Sequence, residues 1–276
     1  MKESEKLLLD AVHASLRAGE EIIKVYDSED YDVQLKKDKS PVTLADRQSD
    51  NLIKDMFAPA GIPYFSEESE KAPYEERTEW ERYWLVDPLD GTKEFIKRNG
   101  EFTVNIALIE DQTPVMGVIY VPVQKQLFFA VKGTGSYKME NVQEKEQFFS
   151  LNDLVNRAKK LKSNREIKNF RIAGSRSHLS AETRDFIEKL QMEYGKADIV
   201  TKGSSLKLCM VAEGTADIYP RLGPTMEWDT AAGHAIALFA ECSIMQIDSG
   251  EPLLYNKPEL LNPWFVVKSK AFARAK

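Results

Sequence analysis

The segment WLVDPLDGTKEF, Trp84 to Phe95, places Asp87 and Asp90 around a proline, just before Gly-Thr and at the end of a predicted strand. Asp-Pro and Asp-Gly pairs are common in turns, so a strand followed by a tight turn explains DPLDGT about as well as a functional site does. The choice between these explanations depends on the other acidic segments of the chain.

Two such segments favour a functional site. SEES carries Glu67 and Glu68 after another short predicted strand, and MEWDTAAGHA carries Asp229 where a helix is predicted to begin. Asp229 alone is also explained as the N-cap of that helix, although an N-cap carboxylate can still reach a metal ion with its second oxygen. Acidic groups that converge without basic neighbours repel one another, and divalent cations relieve this repulsion. The sequence therefore predicts a metal site.

Oxygen ligands would have to hold the ion. The three histidines, His13, His178 and His234, show none of the spacings that are typical of zinc sites. Hard carboxylate and carbonyl oxygens select Mg2+ or Mn2+. The carbonyl of Leu89, in the turn that Pro88 stiffens, could face the same ion.

Composition excludes several other classes of function. The chain has 276 residues, 42% of them apolar, and a formal net charge of −6, so nothing general favours binding to a nucleic-acid polymer or a membrane. The acidic N-terminus does not resemble a signal peptide, and we expect no integral membrane segment. Cys209 and Cys242 lack CxxC spacing and fit a reducing cytoplasm. A cytoplasmic protein is expected; peripheral association with the inner membrane face and the oligomeric state stay open.

Hydrophobic periodicity predicts two different halves. The first 26 or so residues and residues 44–57 are predicted helices, and the runs FTVNIALIE, PVMGVIYVP and QLFFAVKGTGSY predict an antiparallel meander. Charged residues between Lys138 and Asn169 predict a boundary and a connecting helix at the surface. Strands and helices then alternate in α/β order. We expect two parts, residues 1–150 and 151–276, packed as one compact unit.

The three acidic motifs, SEES, WLVDPLDGT and WDTAAGHA, together resemble the lithium-sensitive, magnesium-dependent phosphatase superfamily that includes the inositol monophosphatases. The likeness runs from Asp46 in VTLAD to the final predicted strand, WFVVK. It implies a fold of the α/β class with mixed α+β character. The helices and sheets would form a layered αβαβα sandwich. It also implies an enzyme that uses two or three Mg2+ ions, with Mn2+ as an alternative.

The resemblance implies a role for each acidic residue. Glu67, Asp87 and the Leu89 carbonyl would hold one ion, and Asp87, Asp90 and Asp229 a second. Glu67, with the Thr92 hydroxyl paired to Asp46, would activate the attacking water. The substrate phosphate would also contact Asp90, Gly91, Thr92 and Asp229, since Gly91 lets the backbone approach it at the start of a helix.

Other segments resemble the 3'(2'),5'-bisphosphate nucleotidase branch of this superfamily. KEF directly follows DPLDGT, and the nucleotide contacts of that branch would fall on Ser175 and His178 in GSRSH, Gly203 and Lys207 in KGSSLK, and Arg221. Taken alone, GSRSH is better explained as a polar loop that caps the next helix. KGSSLK is explained equally well as a glycine turn that leads into a helix with a serine cap.

This resemblance implies a phosphatase that converts adenosine 3',5'-bisphosphate, a small-molecule nucleotide bisphosphate, to AMP and phosphate. Such an enzyme would recycle a by-product of sulfate assimilation. The alternatives are a phosphatase for inositol phosphates or sugar phosphates, and a catalytically silent nucleotide-binding regulator. The regulator would be expected to lack part of the metal set, which is complete here.

Overall fold

The structure is a computed structural model that describes residues 2–28, 34–35, 41–163, 170–174 and 180–273. Its helices are α1 Glu3–Ser28, α2 Leu44–Phe57, α3 Tyr74–Arg77, α4 Thr92–Ile96, α5 Leu151–Asn156, α6 Ala181–Tyr194, α7 Leu206–Ala212, α8 Glu227–Phe239 and α9 Lys270–Ala273. Its strands are β1 Gln34–Leu35, β2 Pro41–Val42, β3 Tyr64–Ser66, β4 Arg82–Asp90, β5 Thr103–Glu110, β6 Thr113–Val121, β7 Gln126–Val131, β8 Gly135–Glu140, β9 Lys159–Lys160, β10 Phe170–Gly174, β11 Ala197–Thr201, β12 Ile218–Arg221, β13 Ser243–Gln246 and β14 Phe265–Lys268.

A seven-stranded sheet has the order β3-β4-β5-β6-β7-β8-β9. Strands β4 to β9 pair antiparallel in succession, which confirms the predicted meander. Strand β3 instead lies parallel to β4, with Ser66 opposite Val86. Because β3 and β4 run the same way, their carboxyl ends meet at one edge of the sheet. That edge carries the SEES and DPLD segments.

A second sheet of five strands has the order β11-β10-β12-β14-β13. Strands β11, β10 and β12 are parallel, as the predicted α/β alternation requires, and the alternation continues through α8 to β13. Strand β14 is antiparallel to both of its neighbours, β12 and β13. It follows β13 without an intervening helix, and a strand that returns without a crossover helix pairs antiparallel.

Apolar faces stack these elements into layers. Along β4 successive side chains alternate between two cores: Trp84 and Val86 pack with α1 and α2, while Tyr83 and Leu85 face the core that contains α7 and α8. That second core also includes residues of the five-stranded sheet, and a third core joins this sheet to α6. The order is helices, sheet, helices, sheet, helix. The predicted αβαβα sandwich is confirmed.

Helix α8 lies very close to β6, which positions the acidic start of the helix. A Cβ atom added to Gly117 would overlap the carbonyl oxygen of Ala232 and lie 2.8 Å from the Cβ of Ala235. The contact surface of the helix is correspondingly built from buried alanines. Glycine is required at position 117 because backbone, and not a movable side chain, occupies the space.

Gly117→Ala should therefore lower the free energy of unfolding by about 1–3 kcal/mol, the usual cost of overpacking a core. Urea denaturation of the two proteins measures this difference. Gly223→Ala is a suitable control, because within the described ranges no atom beyond the two chain neighbours lies within 4 Å of the added methyl group. Equal midpoints for wild type and Gly117→Ala would contradict the close helix–sheet approach.

The charged region between residues 138 and 169 is mostly not the connecting helix that its composition predicts. Strand β8 continues to Glu140, the only helix in the described part of this region is α5, and Lys159–Lys160 form β9 at the sheet edge. Lysines on an edge strand discourage pairing with other strands. Residues 164–169 lie outside the described part. The predicted division near residue 150 stays a prediction; β9, which follows it, extends the first sheet.

In the part of the chain that the structure describes, no helix is both long and apolar enough to cross a bilayer. Cys209 and Cys242 are both buried and free. Each has a raised thiol pKa because burial disfavours the thiolate. These cysteines act as small core residues.

Candidate metal and phosphate site

Three carboxylates that are distant in sequence converge at the carboxyl end of β3 and β4. One oxygen from each of Glu67, Asp87 and Asp229 lies within 4.8 Å of the others. Parallel pairing sets the first two side by side, since the Glu67 N–H donates to the Val86 carbonyl at 3.1 Å. Helix α8 brings the third from the other half of the chain. Asp87 is buried, and its two partners are half-buried.

Burial and mutual repulsion disfavour the ionised forms of Asp87 and Asp229. Burial raises the pKa of Asp87 well above its usual value, and the charges of Glu67, Asp90 and Asp229 raise it further. Burial likewise raises the pKa of Asp229 to about 8, with a further contribution from Asp90. The ionised forms would be stabilised by a bound cation. Oxygen ligands of this kind suit Mg2+ or Mn2+, so the residues present fit the predicted metal.

The same electrostatics predict how the metal-free protein responds to pH. The pKa of Asp229 is about 8 when folded, against about 3.9 when unfolded. The folded protein therefore holds the proton more tightly, and stability falls as pH rises between these values. In chelator, the melting temperature of wild type should decrease from pH 5.5 to 8.5 relative to that of Asp229→Asn. Parallel curves for the two proteins would contradict this electrostatic account, and saturating Mg2+ should remove most of the difference.

Asp229 lies at the third position of α8, not at the N-cap that the simpler explanation of its sequence predicts. The helix begins two residues earlier, at Glu227. Asp229 still caps the helix, because its Oδ2 accepts a hydrogen bond of 2.8 Å from the Met226 N–H. The fully buried Glu227 carboxylate holds the start of the helix through the Lys257 ammonium, at 2.6 Å, and the Asn256 N–H. One oxygen of Asp229 therefore accepts a hydrogen bond from the start of the helix, and the same carboxylate also lies near those of Glu67 and Asp87.

Asp90 ends β4 after an irregularity in its pairing with β5 that begins at Asp87. Its Oδ2 accepts three hydrogen bonds, from Ser204 Oγ at 2.5 Å, the Ser205 N–H at 2.7 Å and Asn105 Nδ2 at 3.2 Å. These bonds leave Oδ1 as the oxygen available to a cation. The assignment of Asp90 as a metal ligand stays a prediction.

The predicted contact between Thr92 and Asp46 is present. Thr92 Oγ1 donates to Asp46 Oδ1 at 3.3 Å. The other oxygen of Asp46 accepts from the Thr43 N–H at 2.7 Å and the Thr43 hydroxyl at 2.5 Å, forming part of the capping box of α2. Asp46 is therefore held on a rigid helix and can hold Thr92 in turn. Gly91, just before α4, has a φ of 97°, a conformation that favours glycine.

Helix α2 also holds both loops that carry the predicted metal ligands. The Ser49 hydroxyl donates to the Pro88 carbonyl at 2.8 Å, beside Leu89. Asp50 Oδ1 accepts from the Ser66 hydroxyl at 2.5 Å, directly before Glu67. The Pro88 carbonyl thus already accepts a hydrogen bond from the Ser49 hydroxyl. The role of the Leu89 carbonyl as a metal ligand stays a prediction.

A cavity of about 280 Å³ is lined by residues of both halves of the chain, with Asp90 and Asp229 among them. It brings together most of the predicted substrate contacts that the structure describes, namely Asp90, Gly91, Gly203, Lys207, Arg221 and Asp229. A second cavity of about 290 Å³ shares Lys207, Tyr219 and Arg221 with it. The residues predicted to contact the phosphate and the nucleotide therefore line two cavities that share part of their walls.

The two predicted cations at this end have different surroundings. The Lys207 ammonium donates to the carbonyls of Ser204, at 2.7 Å, and Lys202, at 3.2 Å, so part of its hydrogen-bonding capacity holds its own loop. Arg221 donates to the Pro224 carbonyl at 2.7 Å, and its charge partly opposes the rise in the pKa of Asp229. Arg221 is therefore close to the carboxylates.

Gly203 belongs to the same loop and needs its small size. A Cβ at this position would lie 3.0 Å from the Glu94 side chain and 3.1 Å from Glu101. Its N–H donates to Glu101 Oε2 at 2.9 Å. The serine of the predicted cap, Ser205, makes no side-chain cap; its hydroxyl donates to Asn105 Oδ1 instead. The predicted contacts Ser175 and His178 lie outside the described residues.

Sequence reasoning missed the polar residues that support the ligands. Thr103 and Asn105 are polar, alternate residues on one face of β5, within the apolar run FTVNIALIE. That pattern could have marked them, because buried polar side chains in a strand need partners. Ser49, Asp50 and Ser204 carry no comparable signal, since their partners come from distant segments.

The matches to known proteins agree with this geometry. The model of the inositol monophosphatase family matches residues 3–272. The chain is 44% identical over 266 residues to the 3'(2'),5'-bisphosphate nucleotidase CysQ of Shigella flexneri, covering 94% of this chain and 99% of the relative. It is 43% identical over 265 residues to CysQ of Escherichia coli strain K12, with the same coverage. The crystal structure of CysQ from Bacteroides thetaiotaomicron matches with a TM-score of 0.89 and 46% identity, covering 96% of this chain and 98% of that one. The chain belongs to the inositol monophosphatase family.

Proposed function

We propose that the protein is a Mg2+-dependent 3'(2'),5'-bisphosphate nucleotidase that converts adenosine 3',5'-bisphosphate to AMP and phosphate. The observation that carries the proposal is the convergence of Glu67, Asp87 and Asp229, the last of which lines a cavity together with Lys207 and Arg221. The relatives that share 43–44% identity over 94% of the chain are nucleotidases of this class. A bisphosphate substrate needs both ends of such a cavity.

Glu67, Asp87, Asp90, Asp229 and the Leu89 carbonyl would hold two or three Mg2+ ions. When bound, these ions supply positive charge that stabilises the attacking and leaving oxygens of an in-line phosphoryl displacement. Phosphate monoesters hydrolyse extremely slowly without a catalyst, so a large stabilisation of this kind is needed. Two of these carboxylates, Asp87 and Asp229, have raised pKa values, as expected where buried acidic groups converge on a cation site.

The residues of the chain orient and deprotonate the water. The hydroxyl proton of Thr92 points to Asp46, which leaves the lone pairs of Thr92 Oγ1 free to accept a hydrogen bond from the attacking water. Glu67 accepts the water proton as the oxygen attacks phosphorus. The bond between phosphorus and the 3'-oxygen breaks, and that oxygen takes a proton from solvent to leave as the hydroxyl of AMP.

Lys207 and Arg221 would recognise the second phosphate of the substrate, with Ser175, His178 and Gly203 completing the nucleotide contacts. Both cations line the two adjoining cavities, whereas the carboxylates Asp90 and Asp229 line only the first of them. A planar guanidinium suits bidentate contact with phosphate, and an ammonium supplies a point charge. An inositol monophosphate offers no second anion to these residues. The arrangement therefore favours a nucleotide bisphosphate. In a cell, we propose that the enzyme works in the cytoplasm on a by-product of sulfate assimilation.

A phosphate-release screen tests the proposal. Adenosine 3',5'-bisphosphate, inositol 1-phosphate and several sugar phosphates are compared at equal concentration in Mg2+ and in chelator. We expect the bisphosphate to be the best substrate, activity only with the metal, and inhibition by LiCl that NaCl and KCl do not reproduce. A preference for inositol or sugar phosphates would identify the alternative phosphatase. Nucleotide binding without any phosphate release would identify a silent regulator.

A further inference from the structure

A buried polar network connects Asp90 to the loop formed by residues 202–207. Thr103 and Asn105, on β5, have exposed fractions of 0% and 1%, and neither lines the cavity. Thr103 Oγ1 lies within hydrogen-bond distance of Asn105 Oδ1, at 2.8 Å, and of the hydroxyls of Ser204, at 2.8 Å, and Ser205, at 3.0 Å. Asn105 Nδ2 donates to Asp90 Oδ2 at 3.2 Å. With the bond from Ser204 Oγ to Asp90 Oδ2, these contacts form a ring of four side chains, and the Ser205 hydroxyl contacts two members of the ring, Thr103 and Asn105.

The loop side of the ring has an unusual backbone. Ser204 has a φ of 53°, in the left-handed region that a serine seldom adopts. Its hydroxyl and the neighbouring Ser205 N–H both donate to the same Asp90 oxygen, at 2.5 and 2.7 Å. The conformation of the loop is therefore stabilised by the charge of a predicted metal ligand. Lys207, which holds the Ser204 carbonyl, belongs to the same rigid unit.

We propose that Thr103 and Asn105 are positioning residues that couple Asp90 to the loop of residues 202–207, so that metal affinity and nucleotide affinity depend on one network. The nucleotide part rests on the proposed function, and the metal part does not. The Asn105 amide has one workable orientation, with its oxygen towards the hydroxyls and its nitrogen towards the carboxylate. This orientation fixes which oxygen of Asp90 is free. Thr103 holds the amide and both serines in place.

Coupling follows from shared contacts. If Mg2+ binding favours one position of Asp90, it favours the loop conformation that this position supports, and ligand binding to the loop must favour metal binding by the same factor. Loss of an outer partner of a metal ligand typically lowers metal affinity 10- to 100-fold. Removal of the Thr103 hydroxyl should therefore weaken Mg2+ binding about 10-fold and raise KM for the nucleotide.

Thr103→Val removes the hydroxyl with almost no change of shape, and Thr103→Ser restores it. Ser136→Ala is the matched control, because Ser136 is also buried in a strand of the same sheet and its hydroxyl has no hydrogen-bond partner among the residues that the structure describes. Ser205→Ala is a second test of the ring that keeps the N–H bond to Asp90. The readout is the midpoint of the Mg2+-dependent rise in melting temperature, measured without substrate.

We expect the midpoint to rise about 10-fold in Thr103→Val, to rise less in Ser205→Ala, and to return towards wild type in Thr103→Ser, with Ser136→Ala unchanged. In the working enzyme, KM for the bisphosphate should rise more than kcat falls at saturating Mg2+. A lower melting temperature with an unchanged Mg2+ midpoint would show a merely structural role and overturn the inference. An absence of any Mg2+ response in wild type would also overturn it. Failure of the proposed function would appear separately, as a missing bisphosphatase activity in wild type.

Discussion

Asp87→Asn is expected to lower kcat at least ~100-fold, about 2.7 kcal/mol of transition-state stabilisation, and yet to raise the melting temperature of the metal-free protein. Asp87 lies at the centre of the carboxylate cluster, and its pKa is raised well above the usual value by burial and by Glu67 and Asp90. A neutral amide of the same shape removes that repulsion in the absence of metal. It also removes a charge that the metal site requires. Activity at saturating Mg2+ and melting in chelator, both at pH 7.5, measure the two effects.

Asp153→Asn is the control for this substitution. Asp153 is a carboxylate at the start of α5, where the Ser150 side chain accepts from its N–H, and it is not part of the acidic cluster. We expect its kcat to match that of wild type, with no gain in metal-free stability. Two results would contradict the role of Asp87: an Asp87→Asn enzyme with more than a tenth of wild-type kcat, or an unchanged melting temperature in chelator.

Lys207→Ala is expected to lower kcat/KM for adenosine 3',5'-bisphosphate roughly 10- to 150-fold, because a charge-assisted hydrogen bond contributes about 1.5–3 kcal/mol. Slow hydrolysis of inositol 1-phosphate, which has no second phosphate, should change little. The ammonium also donates to the carbonyls of Ser204 and Lys202, so the loop itself depends on it. A pure loop defect would affect both substrates through Asp90, since Ser204 and Ser205 bond to that carboxylate.

The comparison of the two substrates therefore distinguishes recognition of the second phosphate from loss of loop structure. Lys97→Ala serves as a control for general electrostatics, because Lys97 is an exposed cation on the wall of the same cavity. We expect a small effect from it. An equal loss for both substrates in Lys207→Ala, or an equally large loss in Lys97→Ala, would remove the basis for assigning a specific contact to Lys207.

The sequence predicts those parts of the fold that depend on local patterns. Helix α2 begins and ends at the predicted residues, and the meander from β5 to β8 follows its alternating apolar residues. The charged region around residue 150 misled the prediction, because edge strands and surface helices share a charged composition. Helix α8 also begins earlier than the sequence predicts, at Glu227 and not at Asp229. Asp229 is a helix-start residue by type, but Met226 and the buried Glu227 set the true boundary.

Local sequence patterns likewise predict only part of the candidate site. The acidic motifs predict which carboxylates converge, because their residue types and order are characteristic, and the structure brings Glu67, Asp87 and Asp229 together. Their supporting partners cannot be predicted in this way. The bond between Asp90 and the loop joins segments that are 114 residues apart, and the bond between Ser49 and the Pro88 carbonyl spans 39 residues. Such pairs depend on how the layers stack, which no local pattern encodes.

The identity of the nucleotide released from adenosine 3',5'-bisphosphate tests the central claim most directly. With Mg2+ and wild-type enzyme, chromatography against authentic standards should show adenosine 5'-monophosphate and one equivalent of phosphate, and no product should form in chelator. This outcome requires the 3'-phosphate at the carboxylates and the 5'-phosphate at the end of the cavity that carries Lys207 and Arg221. Release of adenosine 3'-monophosphate, or turnover that persists without metal, would contradict it.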